Sequence, residues 1–224
     1  MEIDRVLVSR GLELVGVGGI NDIIVDKDCN VAHKNPDQTV YISGNLGFGS
    51  LSEEWVLPDI QLFVRIMKTF SSQFISVKKT RNCFDIVGDD VHWRYRLGNS
   101  EFFKVVEGSK VAKLSEQFKV SCEMSVDILK KVESINAVIK AEYISFISSK
   151  GTFRVVVGDE TTYSGTVGLN YGFEDDFQIK VASDTLIEII GKIDLPSVLI
   201  GFAYKDTKML RIALGEFKWM VGAV

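Results

Sequence analysis

The sequence predicts an α+β protein made of duplicated units, each a short helix followed by several antiparallel strands. Two strand-to-helix passages in the second half, FKVSCEMSVDILKKVESI from Phe118 and FQIKVASDTLIEIIGKI from Phe177, share one pattern. The strand segments downstream of them, FRVVVGD at 153–159 and LRIALGE at 210–216, also correspond. Apolar residues are 46% and charged residues 25% of the 224, enough for a folded chain with one large domain or two of about 100 residues.

In chain order, MEIDRVLVSRGLEL is expected to form a short helix, with Ile3, Val6, Leu7, Arg10 and Leu14 at three-to-four spacing, stopped by GVGG at 16–19. INDIIVDKD and DQTVYISGNL read as strands, the second with Val40 and Ile42 on one face and Thr39, Tyr41 and Ser43 on the other. GFGSLS is a glycine-rich turn before EEWVL. A second helix is expected from Pro58-Asp59, since proline suits the first helical position and an early carboxylate suits the positive helix end, with Leu62, Phe63 and Ile66 as its stripe. FISVKKT, FDIVGDD and VHWRYRL are strands, and in the last of them Val91, Trp93, Tyr95 and Leu97 alternate with His92, Arg94 and Arg96. The irregular stretch from Asn99 to Gln117 reads as a connector or an edge strand.

Beyond it the reading is strand 118–124, helix 125–136, and strands 141–149, 152–159 and 164–169. Strand 176–182, helix 183–193, and strands 197–205, 208–215 and 217–222 follow, with Ser125 and Ser183 as N-caps. Superposing the two helices at an offset of 58 pairs Ile128 with Leu186, Leu129 with Ile187, Val132 with Ile190 and Ile135 with Ile193. The downstream strands match at an offset one residue shorter. Leu62, Phe63 and Ile66 with FDIVGDD give a third copy, and the helix around Leu7 a fainter fourth. One unit alone leaves its sheet face bare, whereas two helices side by side on joined sheets cover it.

Composition and motifs remove several classes of function. The net charge of −4 argues against general polyanion binding, while leaving room for a locally basic face. Cys29, Cys83 and Cys122 contain no CxxC, and no basic-then-apolar leader opens the chain, which points to thiols in a reducing, cytoplasmic setting. No apolar run is long enough for a membrane helix. GDD at 88–90 has the look of a metal motif, yet GDE at 158–160 and GEF at 215–217 occupy the same strand-end position, so a tight turn explains it better. Neither GVGG nor GNLGFGS completes a phosphate-binding loop, and His33 and His92 have no HExxH or nucleophile partner. No cofactor, metal site or catalytic constellation is expected.

The duplicated layout, the EFFKVVEG…AKLSEQF connector, the SVDILKKV and SDTLIEII helices and the FRVVVGD and LRIALGE strands together resemble the DNA polymerase sliding clamp family, in its phage and PCNA-type form with two domains per subunit. The resemblance implies an N-terminal clamp domain over 1–107 and a C-terminal one over 108–224, with sheets outside and helices inside. It implies a non-enzymatic processivity factor in DNA replication: a homotrimeric ring that encircles duplex DNA without sequence preference and tethers DNA polymerase, opened by a clamp loader. A phage-encoded member would work in the host cytoplasm.

By their place in the helices, Arg5, Arg10, Arg65, Lys68, Lys130, Lys131 and Lys192 are the residues expected to face DNA phosphates. Glu2, Asp4, Asp127, Glu133, Asp184 and Glu188 make the helices only slightly basic. A partner-peptide pocket near the connector and the C-terminus is expected to involve Val111, Ala112, Leu114, Trp219, Val221 and Val224. Subunit joints should use sheet edges, with 81–88 and 163–169 as candidates. Two other readings stand beside this one: a monomeric α+β accessory protein, and a metal-dependent nuclease or hydrolase using Asp89 and Asp90.

Overall fold

A computed structural model describes residues 1–47, 49–99, 101, 108–159 and 161–224, the side chains of 108–110 and 112 excepted. The chain divides into two compact units. The first comprises Met1–Gln38 and Ile42–Val111; the second comprises Thr39–Tyr41 and Ala112–Val224.

The first unit runs β1 (Glu2–Asp4), α1 (Arg5–Val15), β2 (Ile23–Val25), β3 (Asn30–Lys34) and β4 (Val40–Asn45). It repeats the order with β5 (Trp55–Leu57), α2 (Ile60–Lys68), β6 (Phe74–Thr80), β7 (Cys83–Gly88) and β8 (Val91–Arg96). The opening strand of each run is donated to the sheet of the other. β1 lies antiparallel to β6, with Ile3 opposite Ile75, and β5 lies antiparallel to β2, with Val56 opposite Ile24. The sheet orders are therefore β1-β6-β7-β8 and β5-β2-β3-β4. Helices α1 and α2 pack against each other. Phe63 and Phe84 are fully buried, and Trp55 and Tyr95 close over them with ring centroids 4.4 Å (Trp55–Phe84) and 4.8 Å (Phe63–Tyr95) apart.

After α3 (Gly108–Ser115), the second unit writes the same order twice more. First come β9 (Val120–Ser125), α4 (Val126–Ile139), β10 (Tyr143–Ser149), β11 (Thr152–Gly158) and β12 (Ser164–Leu169). Then come β13 (Phe177–Ala182), α5 (Ser183–Ile190), β14 (Ser197–Ala203), β15 (Met209–Leu214) and β16 (Phe217–Gly222). The exchange of first strands recurs: β9 pairs with β14 and β13 with β10, giving β12-β11-β10-β13 and β16-β15-β14-β9. Helices α4 and α5 pack together. Phe146, Phe153 and Phe202 form a buried aromatic centre with ring centroids 5.4–6.5 Å apart.

Several expectations change. Residues 2–4 are a strand, because Ile3 is needed opposite Ile75 and the Asp4 carboxylate caps α1 by accepting from Val6 N and Leu7 N at 2.9 and 3.1 Å. The helix accordingly buries Val8, Leu12 and Val15, and leaves Val6 and Leu7 exposed. In α2 the cap is Asp59, in a left-handed conformation at φ 54°, accepting from Leu62 N, so Pro58 lies outside the helix. Leu62 is 40% exposed, and Ile60, Phe63, Val64, Ile66 and Met67 form the true stripe. Strand β3 has no counterpart in the sequence reading. In the connector, residues 102–107 lie outside those described and Gly108–Ser115 is a helix rather than an edge strand.

Ser125 caps α4 as expected, accepting from Asp127 N at 3.2 Å. Ser183 does not cap α5. It is the first helical residue, 2% exposed, and its hydroxyl donates to the Ala141 carbonyl. The helices also align one residue away from the expected register. β9 and β13, α4 and α5, and β11 and β15 all start 57 residues apart, which equates the buried Leu129 and Val132 with the buried Leu186 and Ile189.

Candidate nucleic-acid interface

Each unit presents one pair of adjacent helices, and the predicted DNA-facing residues are distributed unequally over the two pairs. In the first unit, α1 carries Arg5 and Arg10 against Glu13, and α2 carries Arg65 and Lys68 with no acid, a helix charge of +3. In the second, α4 carries Lys130 and Lys131 against Asp127 and Glu133, and α5 carries only Asp184 and Glu188, a helix charge of −2.

These cations differ in what they are free to do. Arg5 is committed locally: its Nε donates to the Ser72 carbonyl at 2.5 Å and its Nη2 to the Ser71 carbonyl at 3.1 Å. Lys68 pairs with Glu13 at 2.5 Å, tying α2 to α1. Arg65, Lys130 and Lys131 are exposed and have no ion pair among the described residues. Lys130 and Lys131 flank the outward side of α4, opposite the buried Leu129 and Val132. Arg10 and Lys192 are half-buried, and Lys192 lies in the turn after α5, its N–H bonded to the Ile189 carbonyl.

The strand edges are fixed within each sheet. β7, expected as an edge from 81–88, is hydrogen-bonded on both sides, by β6 and β8, so it has no free edge to offer. β8 is the terminal strand there instead, and β12, from the 163–169 segment, is terminal in its sheet. Trp93 on β8 is 40% exposed and Tyr163 beside β12 is 80% exposed.

Of the residues expected in a partner-peptide pocket, Trp219 and Val221 are core side chains, at 0% and 2% exposure, because they stand opposite Ile212 and Leu210 on the inward face of β16. They cannot line a surface groove. Val111 is buried, Leu114 is half-buried, Val224 is 61% exposed, and the side chain of Ala112 is outside those described. A cavity of about 320 Å³ does open beside the end of α3, lined by Lys113, Gln117, Lys119, Ala203, Tyr204 and Asp206. Gln117 Oε1 is buried there with no hydrogen-bond partner in the described structure. The loop at 203–207 is not expected from the sequence to take part; nothing in its composition distinguishes it from an ordinary hairpin turn.

GDD is a turn. Gly88 pairs with Val91 across a two-residue hairpin whose central residues, Asp89 and Asp90, are left-handed at φ 48° and 60°. The Asp89 carboxylate accepts from Ser71 N at 2.6 Å, Ser72 N at 2.8 Å and both serine hydroxyls. The Ser72 hydroxyl first, with the Ser72 and Ser71 amides, holds its pKa down to about 2. Among the described residues no group of three or more His, Cys, Asp or Glu is placed to hold a metal ion. His33 is 5% exposed and uses Nε2 to accept from Ile24 N at 2.7 Å; burial lowers its pKa. No described helix is long and apolar enough to cross a membrane.

No protein-family model matches this sequence, and no curated protein sequence is significantly similar to it. Solved structures do match its fold. The chain has the clamp-like α+β architecture, with antiparallel sheets and paired helices, found in DNA polymerase III beta subunits and PCNA proteins. PCNA from Thermococcus kodakaraensis is similar over 100% of this chain and 99% of its own, with a TM-score of 0.71 and 13% identity. The PCNA2–PCNA3 complex of Sulfolobus tokodaii gives 0.69 and 14% over the same shares. The beta subunit of DNA polymerase III from Thermotoga maritima gives 0.74 and 9%, and there this chain spans 64% of the matched protein's length.

Proposed function

We propose that this chain is a non-enzymatic DNA polymerase processivity factor: a sliding clamp whose copies close into a ring around duplex DNA and tether the replication machinery. The observation that carries the reading is the fourfold β-α-β-β-β order with its exchanged first strands and paired helices, in a fold similar to PCNA over nearly the whole of both chains. In this reading the clamp domains divide at 107/108, a few residues before the Val111/Ala112 division of the two compact units, and helices line the hole while sheets face outward.

A homotrimer closes when β8 of one copy pairs with β12 of the next, a head-to-tail contact whose rotation brings the ring back on itself. The exposed Trp93 and Tyr163 lie at those edges. DNA is held through phosphates and not base edges, which suits sliding. The polymerase and the clamp loader dock through peptide segments at the cavity beside α3. The nuclease reading loses its main support because Asp89 spends its acceptors on the Ser71–Ser72 loop. The location consistent with this role is the cytoplasm, that of the host for a phage protein.

Native mass spectrometry tests assembly: a species at three times the chain mass is expected, and a strict monomer at micromolar concentration overturns the ring. Retention on DNA tests topology. The loaded protein should remain on closed circular duplex and run off the same DNA after linearisation; equal retention on both forms would leave only ordinary binding.

A further inference from the structure

The β6-β7-β8 sheet of the first unit is electrically polarised. The β7–β8 turn carries Asp89 and Asp90, while the β6–β7 turn and the strand ends beside it carry Lys78, Lys79, Arg81, Arg94 and Arg96. Two of these cations are already neutralised: Arg94 Nε bonds Asp85 at 2.8 Å and Lys79 pairs with Glu53 at 2.8 Å. Arg81 and Arg96 remain exposed, with no ion pair among the described residues, and Lys27 joins them from the β2–β3 turn. These three cations surround an open cavity of about 1100 Å³ whose lining includes the apolar side chains of Val56, Pro58 and Leu97. Val56 is nearly buried, and the Gly98 N–H bonds its carbonyl at 3.1 Å, which fixes the strand end that forms this wall.

From this geometry we infer a second docking site, in the first unit, for a short partner segment that carries carboxylates beside an apolar side chain. Two free guanidiniums can each receive a carboxylate in a bidentate fork, and the apolar wall takes the neighbouring side chain. A nucleic-acid track fits less well: Glu53 and Glu54 line the same cavity and interrupt the run of cations that a continuous phosphate backbone would follow, whereas a short segment needs only the few cations that its carboxylates meet. Neither the helix faces nor the cavity beside α3 shares a residue with this site; its one overlap with the proposed ring joint is Arg96, the last residue of β8, while Lys27 and Arg81 lie outside that strand.

The test is a titration of the isotopically labelled full chain, followed by amide NMR shifts, with a hexapeptide alternating glutamate and leucine. A hexapeptide alternating lysine and leucine, and a thymidine dodecamer, are the comparison probes. The acidic peptide should shift the amides of Lys27, Arg81, Asn82 and Leu97–Asn99 at up to millimolar concentration, and Arg81→Glu with Arg96→Glu should weaken it at least tenfold with an unchanged amide spectrum elsewhere. Lys27→Glu alone, which leaves the hairpin untouched, should weaken it several-fold and guards against a misfolded double variant. No shift at these amides, equal shifts with the lysine peptide, or tighter binding by the dodecamer would each overturn the inference.

Discussion

The two units share a topology and differ in how they are built. In the second, every strand is six or seven residues long and the buried centre is a cluster of phenylalanines. In the first, β1, β2 and β5 have three residues each, and much of the order comes from polar latches: the Asp4 and Asp59 caps, the Asp89 loop clamp and the buried His33 acceptor. The helix pairs differ in the opposite sense, basic in the first unit and slightly acidic in the second. Buried positions thus maintain one architecture by two means, while exposed positions are free to give the units different work.

Core substitutions should have the largest effect. Phe63→Ala in the first unit and Phe153→Ala in the second each remove a fully buried ring, and each should cost about 3–5 kcal/mol in urea denaturation. Phe153 should fall at the upper end, since its ring meets those of Phe146, Tyr171, Phe173, Phe177 and Phe202, whereas Phe63 meets Phe84 and Tyr95. An equal or smaller cost for Phe153→Ala would mean that the aromatic cluster adds nothing beyond ordinary burial.

Next come the turn carboxylates. Asp89 holds two amides and two hydroxyls of a distant loop, while the Asp159 carboxylate, in the corresponding hairpin of the second unit, accepts among the described residues from the amide and hydroxyl of Thr161, two residues on. Asp89→Asn should therefore lower the melting temperature more than Asp159→Asn does. Because the folded Asp89 carboxyl titrates near 2 and its ordinary value is 3.8, its stabilisation is complete above 3.8 and disappears as pH falls toward 2. Thermal melts between pH 5 and 2 should be flatter for the Asn variant; parallel curves would remove Asp89 as the latch.

His33 acts in a higher window and by a different route. Burial favours its neutral form, so the unfolded chain takes up a proton first as pH drops through 6.5, and the fold loses stability from there downward. His33→Gln keeps an acceptor within reach of Ile24 N and does not titrate. Its melts from pH 7 to 5 should be flatter than those of the parent, and an unchanged slope would assign the pH dependence to another group.

What can be read from the sequence follows the same division. Six- and seven-residue strands leave a period-two signature, which is why β9 to β16 are legible to within a residue or two, whereas a three-residue strand such as β1 cannot be told from the first turn of a helix. Val6, Leu7 and Leu62 fit a helical stripe by spacing and are exposed, because side-chain type cannot say which of two apolar arcs meets the sheet. The α4–α5 register shifts by one because the isoleucines and leucines that pad both helices match almost as well at 58 as at 57. The identity of the edge strand depends on pairings between distant segments: RNCFDIVG at 81–88 looks as edge-like as VHWRYRL until β7 is found bonded on both sides. Likewise Trp219 draws attention by its size near the C-terminus, yet its size is the reason it is fully buried.

The smallest effect on the fold, and the most direct on the proposed role, should come from the helix faces. Neutralising Arg65 and Lys68 to glutamine, or Lys130 and Lys131 to glutamine, alters exposed side chains and should change stability by no more than about 0.5 kcal/mol. If duplex DNA passes these helices, the two pairs should not weigh equally. Lys130 and Lys131 share their helix pair with Asp127, Glu133, Asp184 and Glu188, so a phosphate near them meets little net attraction, whereas the helix pair that carries Arg65 and Lys68 contains a single acid, Glu13, which pairs with Lys68. Each cation that no longer neutralises a phosphate should lower the salt dependence of retention on circular DNA by about 0.9 in log–log slope. The Arg65–Lys68 variant should give up more of that slope than the Lys130–Lys131 variant. Equal reductions would show that local acids on α4 and α5 are screened from the DNA path, and no reduction in either variant would remove both helix pairs from it.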